Sequence, residues 1–145
     1  MTENSSSSIT ITHHFNAPAK VVWRAWTDPA IVQRWWGSDP DGVVTSAELD
    51  VQNGSAFEIT FQDPDGDEHT SYGEYLRVET MRELDFTWAW RSEPNNTSRV
   101  NVVFTAAETG TEMRFVHSEL NGESAHDYAQ GWRRTFAKLD RVLSS

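Results

Sequence analysis

From Val43 to Glu119 the hydrophobic period of the chain is two, six times in succession. VVTSAELDV, SAFEITFQ, HTSYGEYLRVE, ELDFTWAW, SRVNVVFTAA and TEMRFVHSE each read as a strand. Turn signals separate them: Asn53–Gly54, Asp63–Pro64–Asp65–Gly66, Thr80–Met81–Arg82, Glu93–Pro94–Asn95–Asn96 and Thr109–Gly110. Links this short suit hairpins and not the crossovers that parallel strands require, so an antiparallel meander is expected.

The flanks complete the architecture. ITITHHF alternates and is β-branched, which reads as a further strand from about Ser8 to Phe15. APAKVVWRAWTDPAIVQRWWG reads as two short helices, with Pro18 in the first turn of one, Asp28 and Pro29 opening the next, and Gly37 stopping it. In SAHDYAQGWRRTFAKLDRVL, the residues Tyr128, Trp132, Phe136, Leu139 and Leu143 share one helical stripe, so one long helix capped by Ser124 is expected. Gly131 inside it costs about 1 kcal/mol relative to alanine, which implies close packing there. The fold class is therefore α+β: a curved seven-stranded antiparallel sheet wrapped on a long C-terminal helix, with two short helices after the first strand. Such a sheet leaves space at one end that the short helices can cover, and so makes a pocket. Residues 1–8 are expected to be a disordered serine-rich tail, and 9–145 a single domain.

Charge and composition narrow the functions. Twelve basic and 22 acidic residues give a net charge of −10, and Asp28 to Asp85 holds 14 acids against three arginines. That field repels phosphate backbones and argues against nucleic-acid binding. With no cysteine, disulfides and thiolate metal sites are excluded. The start, MTENSSSS, has neither the basic nor the apolar part of a signal peptide, and no run approaches the ~20 apolar residues of a membrane span. A cytoplasmic location without membrane association is expected. Seven tryptophans, seven phenylalanines and three tyrosines are more ring surface than a core of this size obviously needs, which hints at a ring-lined cavity.

Several stretches resemble the START-like, or SRPBCC, helix-grip superfamily, and within it the branch named for the activator of the heat-shock-protein-90 ATPase. They are FNAPAKVVWRAWTDPAIVQRWWG (Phe15–Gly37), NGSAFEI (Asn53–Ile59), GEYLRVETMRELDFTW (Gly73–Trp88), TEMRFVHSEL (Thr111–Leu120) and GWRRTFAKL (Gly131–Leu139). The resemblance runs in order over nearly the whole chain from Ile9. It implies a helix-grip fold with a cavity between sheet and last helix, where superfamily members hold lipids, sterols, polyketides or other apolar molecules and a few catalyse cyclisation or hydrolysis. GSDPDG follows Trp36 where the family commonly places a proline after WWG, so the lip of the pocket differs and no ligand carries over.

The candidate lining follows from alternation and the helical stripe. Phe57, Ile59 and Phe61 share one strand face; Leu84, Phe86, Trp88 and Trp90 another; Met113, Phe115 and His117 a third. All are expected to face Trp132 and Phe136, with Tyr128 on the same stripe. Each fits ordinary core, and Trp88, Trp90 and Met113 at the open end are the stronger lining candidates. Strict alternation of Tyr72, Glu74, Leu76 and Val78 places Glu74 inward, where a carboxyl can act as acid or base, whereas a bulge at Gly73 turns it out. His117 is expected to be a hydrogen-bonded histidine rather than a metal ligand with His126 and Glu119. His13 and His14 face opposite ways, and His69 is expected to be solvated. Of the adjacent Trp35 and Trp36, which project about 100° apart on a helix, one is expected to be core and the other to line the pocket entrance, with a dimer contact as competitor.

Three functions remain open. The first is binding of a small apolar or aromatic molecule, oriented by His117, Tyr72 or Glu74. The second is a cyclase- or hydrolase-type enzyme using Glu74 or His117. The third is a co-chaperone-like interaction module. No cofactor and no metal are expected, and the chain is expected to be a monomer or homodimer.

Overall fold

The computed structural model describes residues 6–37, 41–121 and 125–144. In chain order the elements are β1 (Ser6–Phe15), α1 (Ala19–Thr27), α2 (Pro29–Val32), β2 (Val43–Leu49), β3 (Ala56–Gln62), β4 (Glu68–Glu79), β5 (Glu83–Trp90), β6 (Ser98–Ala106), β7 (Thr111–Asn121) and α3 (Ala125–Ser144). The seven strands form one sheet in the order β1-β7-β6-β5-β4-β3-β2, with every pair antiparallel. The meander from β2 to β7 is as the alternation predicts, and β1 returns to pair with β7 at the sheet's other edge. The architecture is α+β and of helix-grip type. Strand β1 begins at Ser6, inside the serine-rich segment expected to be tail; Ser124, the expected cap of α3, lies outside the described residues.

Local chemistry explains the first helices. Pro18 is extended and precedes α1, and its carbonyl accepts from the Val21 and Val22 amides. Asp28 caps α2, its side chain accepting from the Ala30 amide at 3.0 Å, and Pro29 fills the first turn. Helix α2 ends after four residues, well before Gly37, because the chain continues as tight turns through Trp35.

Two irregularities decide which side chains face the helix. Between Tyr75 and Arg77 the β4–β5 register shifts by one residue. Ser71, Gly73 and Tyr75 are therefore on the inner face, while Tyr72, Glu74 and Leu76 turn outward before Val78 points in again. On β7, Glu119 takes φ 60 and the register with β1 slips between Ser7 and Ile9. That bulge sends Glu119 to solvent and returns Leu120 to the core. Glu119 therefore cannot join His117 as a ligand.

The β4–β5 turn carries a strained residue, since Met81 has φ 63 and its side chain is 43 % exposed. A flexible, exposed methionine gains nothing there that offsets left-handed backbone. Met81→Asn is expected to stabilise the protein by about 0.5–1 kcal/mol. The check is a higher urea midpoint at an unchanged slope.

Candidate functional site

Both tryptophans of the WW pair are buried. Trp35 is fully enclosed, its indole N–H donating to the Ala25 carbonyl at 2.8 Å and its ring 4.9 Å from Trp26. Trp36, 6 % exposed, packs edge-on against Trp132 of α3 at 5.7 Å. The turns after Val32 let one ring face α1 and the other the space between sheet and α3, so neither is left on the surface for a second chain. Gly37 then takes φ 98 with the Phe61 ring against it. Lys138 donates to the carbonyls of Trp36 and Gly37 at 3.4 and 3.2 Å, tying this segment to α3.

Trp36 forms part of a cavity wall with Trp26, Val32, Leu49, Phe57, Ile59, Tyr75, Leu84 and Phe86. Its volume is about 10 Å³, room for roughly one water molecule. Burial, reinforced by the Asp50 charge, pushes the Tyr75 hydroxyl pKa up. Phe115, fully buried, lies 4.7 Å from Trp132 and 5.1 Å from Phe136, so the interior is a continuous stack of rings between sheet and helix.

Around His117 the rings give way to a polar chain. The Trp132 indole N–H donates to His117 Nδ1 at 3.0 Å. Indole nitrogen can only donate, so Nδ1 is the acceptor and the ring proton sits on Nε2. Nε2–H in turn donates to Ser98 Oγ at 2.7 Å, and the Ser98 hydroxyl donates to the Trp88 carbonyl at 3.1 Å. Each member is satisfied, and the chain ties α3 to β7, β6 and β5. Burial holds His117 neutral by lowering its pKa to about 3. With both ring nitrogens occupied and no exposed surface, His117 is a structural connector and offers no lone pair to a substrate. The hydrogen-bonded histidine expected from the sequence is what the geometry gives. The side chain of His126 lies outside the described residues, among which no group of three metal-ligating side chains gathers.

Phe61, His69, Trp88, Trp90 and Tyr128 form a cluster of rings that joins β3, β4 and β5 to α3. The Trp90 indole N–H donates to the Tyr128 hydroxyl at 3.2 Å, bridging β5 to α3, and burial raises the Tyr128 pKa. His69 is not simply solvated: it bonds Asp63 at 2.7 Å and its ring sits 5.2 Å from Phe61 and 6.2 Å from Trp90. His13 reaches α3 by a 2.8 Å bond to Asp140, while His14 is exposed.

Three candidates take other positions. Glu74 is exposed and its backbone amide bonds Thr87 Oγ1; the phase shift responsible lies after Tyr75, not at Gly73. Tyr72 is on the outer face under the Arg91 guanidinium, 5.6 Å away, and Arg91 also pairs with Glu58. Met113 is fully buried opposite Phe104 and His13, four residues along β7 from His117. That is about 13 Å from the Trp88–Trp90 end.

Three buried polar atoms have no hydrogen-bond partner among the described residues: Trp26 Nε1, Ser71 Oγ and Trp88 Nε1. All three belong to the interior, and sequence reasoning named only Trp88. Trp26 was recoverable from the buried stripe of α1, Val22, Trp23, Ala25 and Trp26. Ser71 was not, because its direction depends on the unmarked shift in β4.

The fold recurs in solved bacterial proteins. The AHSA1-like protein from Aeromonas hydrophila superposes with a TM-score of 0.85 at 23 % identity, covering 95 % of this chain and 92 % of its own. A Chromobacterium violaceum protein gives 0.85 at 19 % identity, covering 95 % and 97 %. The AHSA1 protein of Silicibacter pomeroyi gives 0.85 at 19 % identity, covering 95 % and 98 %. These likenesses establish the fold, and no curated protein matches the sequence. The family model for activator of Hsp90 ATPase homolog 1-like proteins matches residues 16–144, from the segment before α1 to the end of α3. With strands β2 to β7, the grip helix and the WWG segment all inside that match, the chain belongs to the activator of Hsp90 ATPase homolog 1-like family.

Proposed function

We propose that this domain binds a small, largely apolar molecule between the sheet and α3. The observation that carries the reading is the set of buried polar atoms without partners inside an otherwise aromatic interior. Leaving such a group unsatisfied costs roughly 1–3 kcal/mol, so each one in a native interior calls for a partner or a use. The surrounding rings supply stacking surface and water exclusion.

A guest of ordinary size exceeds a 10 Å³ cavity, so its entry displaces part of the wall. The Trp90–Tyr128 bond joins β5 to α3, and a guest that parts these two elements breaks it. Titrating the protein with a fatty acid, a sterol, a flavonoid and an aromatic polyketide, while following tryptophan emission, tests the reading. A saturable change is expected for at least one compound. A flat response to all four and to the smaller aromatic probes named below, with no change in melting temperature, would overturn it.

A further inference from the structure

The unpartnered atoms also say what kind of guest fits. We infer, resting on the binding reading above, that the interior selects a neutral molecule bearing a hydrogen-bond acceptor oxygen, held at Trp88 Nε1 and Ser71 Oγ. Ser71 is fully buried and Trp88 is 4 % exposed. Ser71 pairs with Trp90 across β4 and β5, and Trp88 is two residues from Trp90 on the same inner face, with their rings 4.6 Å apart. Ser71 and Trp88 are therefore diagonal neighbours on one face, about 7–8 Å apart, close enough for one small molecule to meet both.

The chemistry follows from what these groups can do. An indole N–H only donates, and a serine hydroxyl can donate as well, so the complementary atom is an acceptor. Trp26, in the cavity wall, adds a third donor of the same kind. A hydrocarbon leaves all three unsatisfied. An anion fits no better: among the described residues no lysine or arginine is buried, and the histidine beside Trp88, 5.2 Å ring to ring, is held neutral. A carboxylate would enter without a counterion, which is costly. Ketones, esters and ethers on an apolar or aromatic body remain.

Three probes of nearly one shape separate these cases: acetophenone, ethylbenzene and benzoate. Each is titrated into the full chain while the indole N–H resonances are followed by NMR, with Trp88→Phe identifying the Trp88 signal. Acetophenone is expected to bind about tenfold more tightly than ethylbenzene, the scale of one well-made hydrogen bond, and to move the Trp88 signal. Benzoate is expected not to bind. Trp88→Phe and, separately, Ser71→Ala should bring the acetophenone preference to within about twofold, and the milder Ser71→Ala keeps the test open should Trp88→Phe fold poorly. Equal affinity for acetophenone and ethylbenzene overturns the acceptor inference while leaving apolar binding intact, as does tight binding of benzoate. If only a member of the four-compound panel binds, the same two variants are applied to it, and an unchanged affinity overturns the inference. Silence from all seven compounds overturns the binding reading itself.

Discussion

Gly73→Ala is expected to cost this protein about 3 kcal/mol or more, the largest loss anticipated from adding one methyl group. Gly73 lies on the inner face of β4, opposite Phe57. A Cβ built there overlaps the Thr87 carbonyl oxygen, far inside van der Waals contact, and lies 2.8 Å from Phe57 Cε1. A flexible side-chain tip could step aside, but a β5 carbonyl can move only if the two strands part. Overpacking ordinarily costs 1–3 kcal/mol, and the backbone obstacle puts this site at or beyond the top of that range. Phe57 adds to the effect, because its ring packs on Tyr75 and Phe86 at 5.6 and 5.2 Å and helps wall the small cavity. A urea titration checks the result: the midpoint should fall sharply or the variant should fail to fold. As a control, Gly54→Ala meets no neighbouring atom and suffers only the strain of its positive φ of 85, so it should lose far less. Equal losses at the two glycines would show that close approach of β4 and β5 is not what Gly73 serves.

Gly73 also marks where the sequence stops being readable. Period-two alternation identified every strand from β2 to β7, because half-buried strands must alternate and each was closed by a turn signal. The grip helix was equally plain from its stripe. Phase within β4 was not readable. HTSYGEYLRVE offers apolar residues in both registers, Tyr72 and Leu76 in one and Tyr75 in the other, and the shift after Tyr75 has no residue signature. That ambiguity puts Tyr72 among the lining candidates, leaves Glu74 open between the two faces and hides Ser71 altogether. The end of α2 was obscured for a related reason. A helical run into WWG matches the pattern, but burying both rings requires the chain to leave regular helix after Val32, and only the position of α1 beneath Trp35 shows why. The buried positions proposed for the lining differ in how readily they are read. Phe57, Phe61, Phe115, Trp132 and Phe136 follow from one-dimensional periodicity. Placing Met113 at the far end of the sheet required knowing which strand ends come together.

The polar chain at His117 yields the second large effect, and its pH dependence separates a connector from a bystander. His117→Ala is expected to cost roughly 3–5 kcal/mol, since it opens a cavity, orphans the Trp132 indole N–H and removes the donor to Ser98. His117→Gln can restore both bonds, its carbonyl oxygen accepting from Trp132 and its amide donating to Ser98, and should recover much of that loss. Acid makes the distinction sharper. In the unfolded chain a histidine takes up its proton near pH 6.5, whereas burial delays protonation in the folded protein to about pH 3. Between those values the unfolded state binds the extra proton, so the histidine's contribution is complete above about pH 6.5 and is lost as the pH falls towards 3. The slope is about 1.4 kcal/mol per pH unit across most of that window. Carboxylates also titrate in the lower part of this range, and subtracting the His117→Gln curve from that of the native chain removes their share. The difference should be flat from pH 8 to about 6.5 and then move against the native protein as acid is added. A difference that stays flat to pH 4 would mean that His117 is protonated in the folded state. The Trp132-to-Nδ1 bond would then be broken, because an imidazolium has no lone pair to offer.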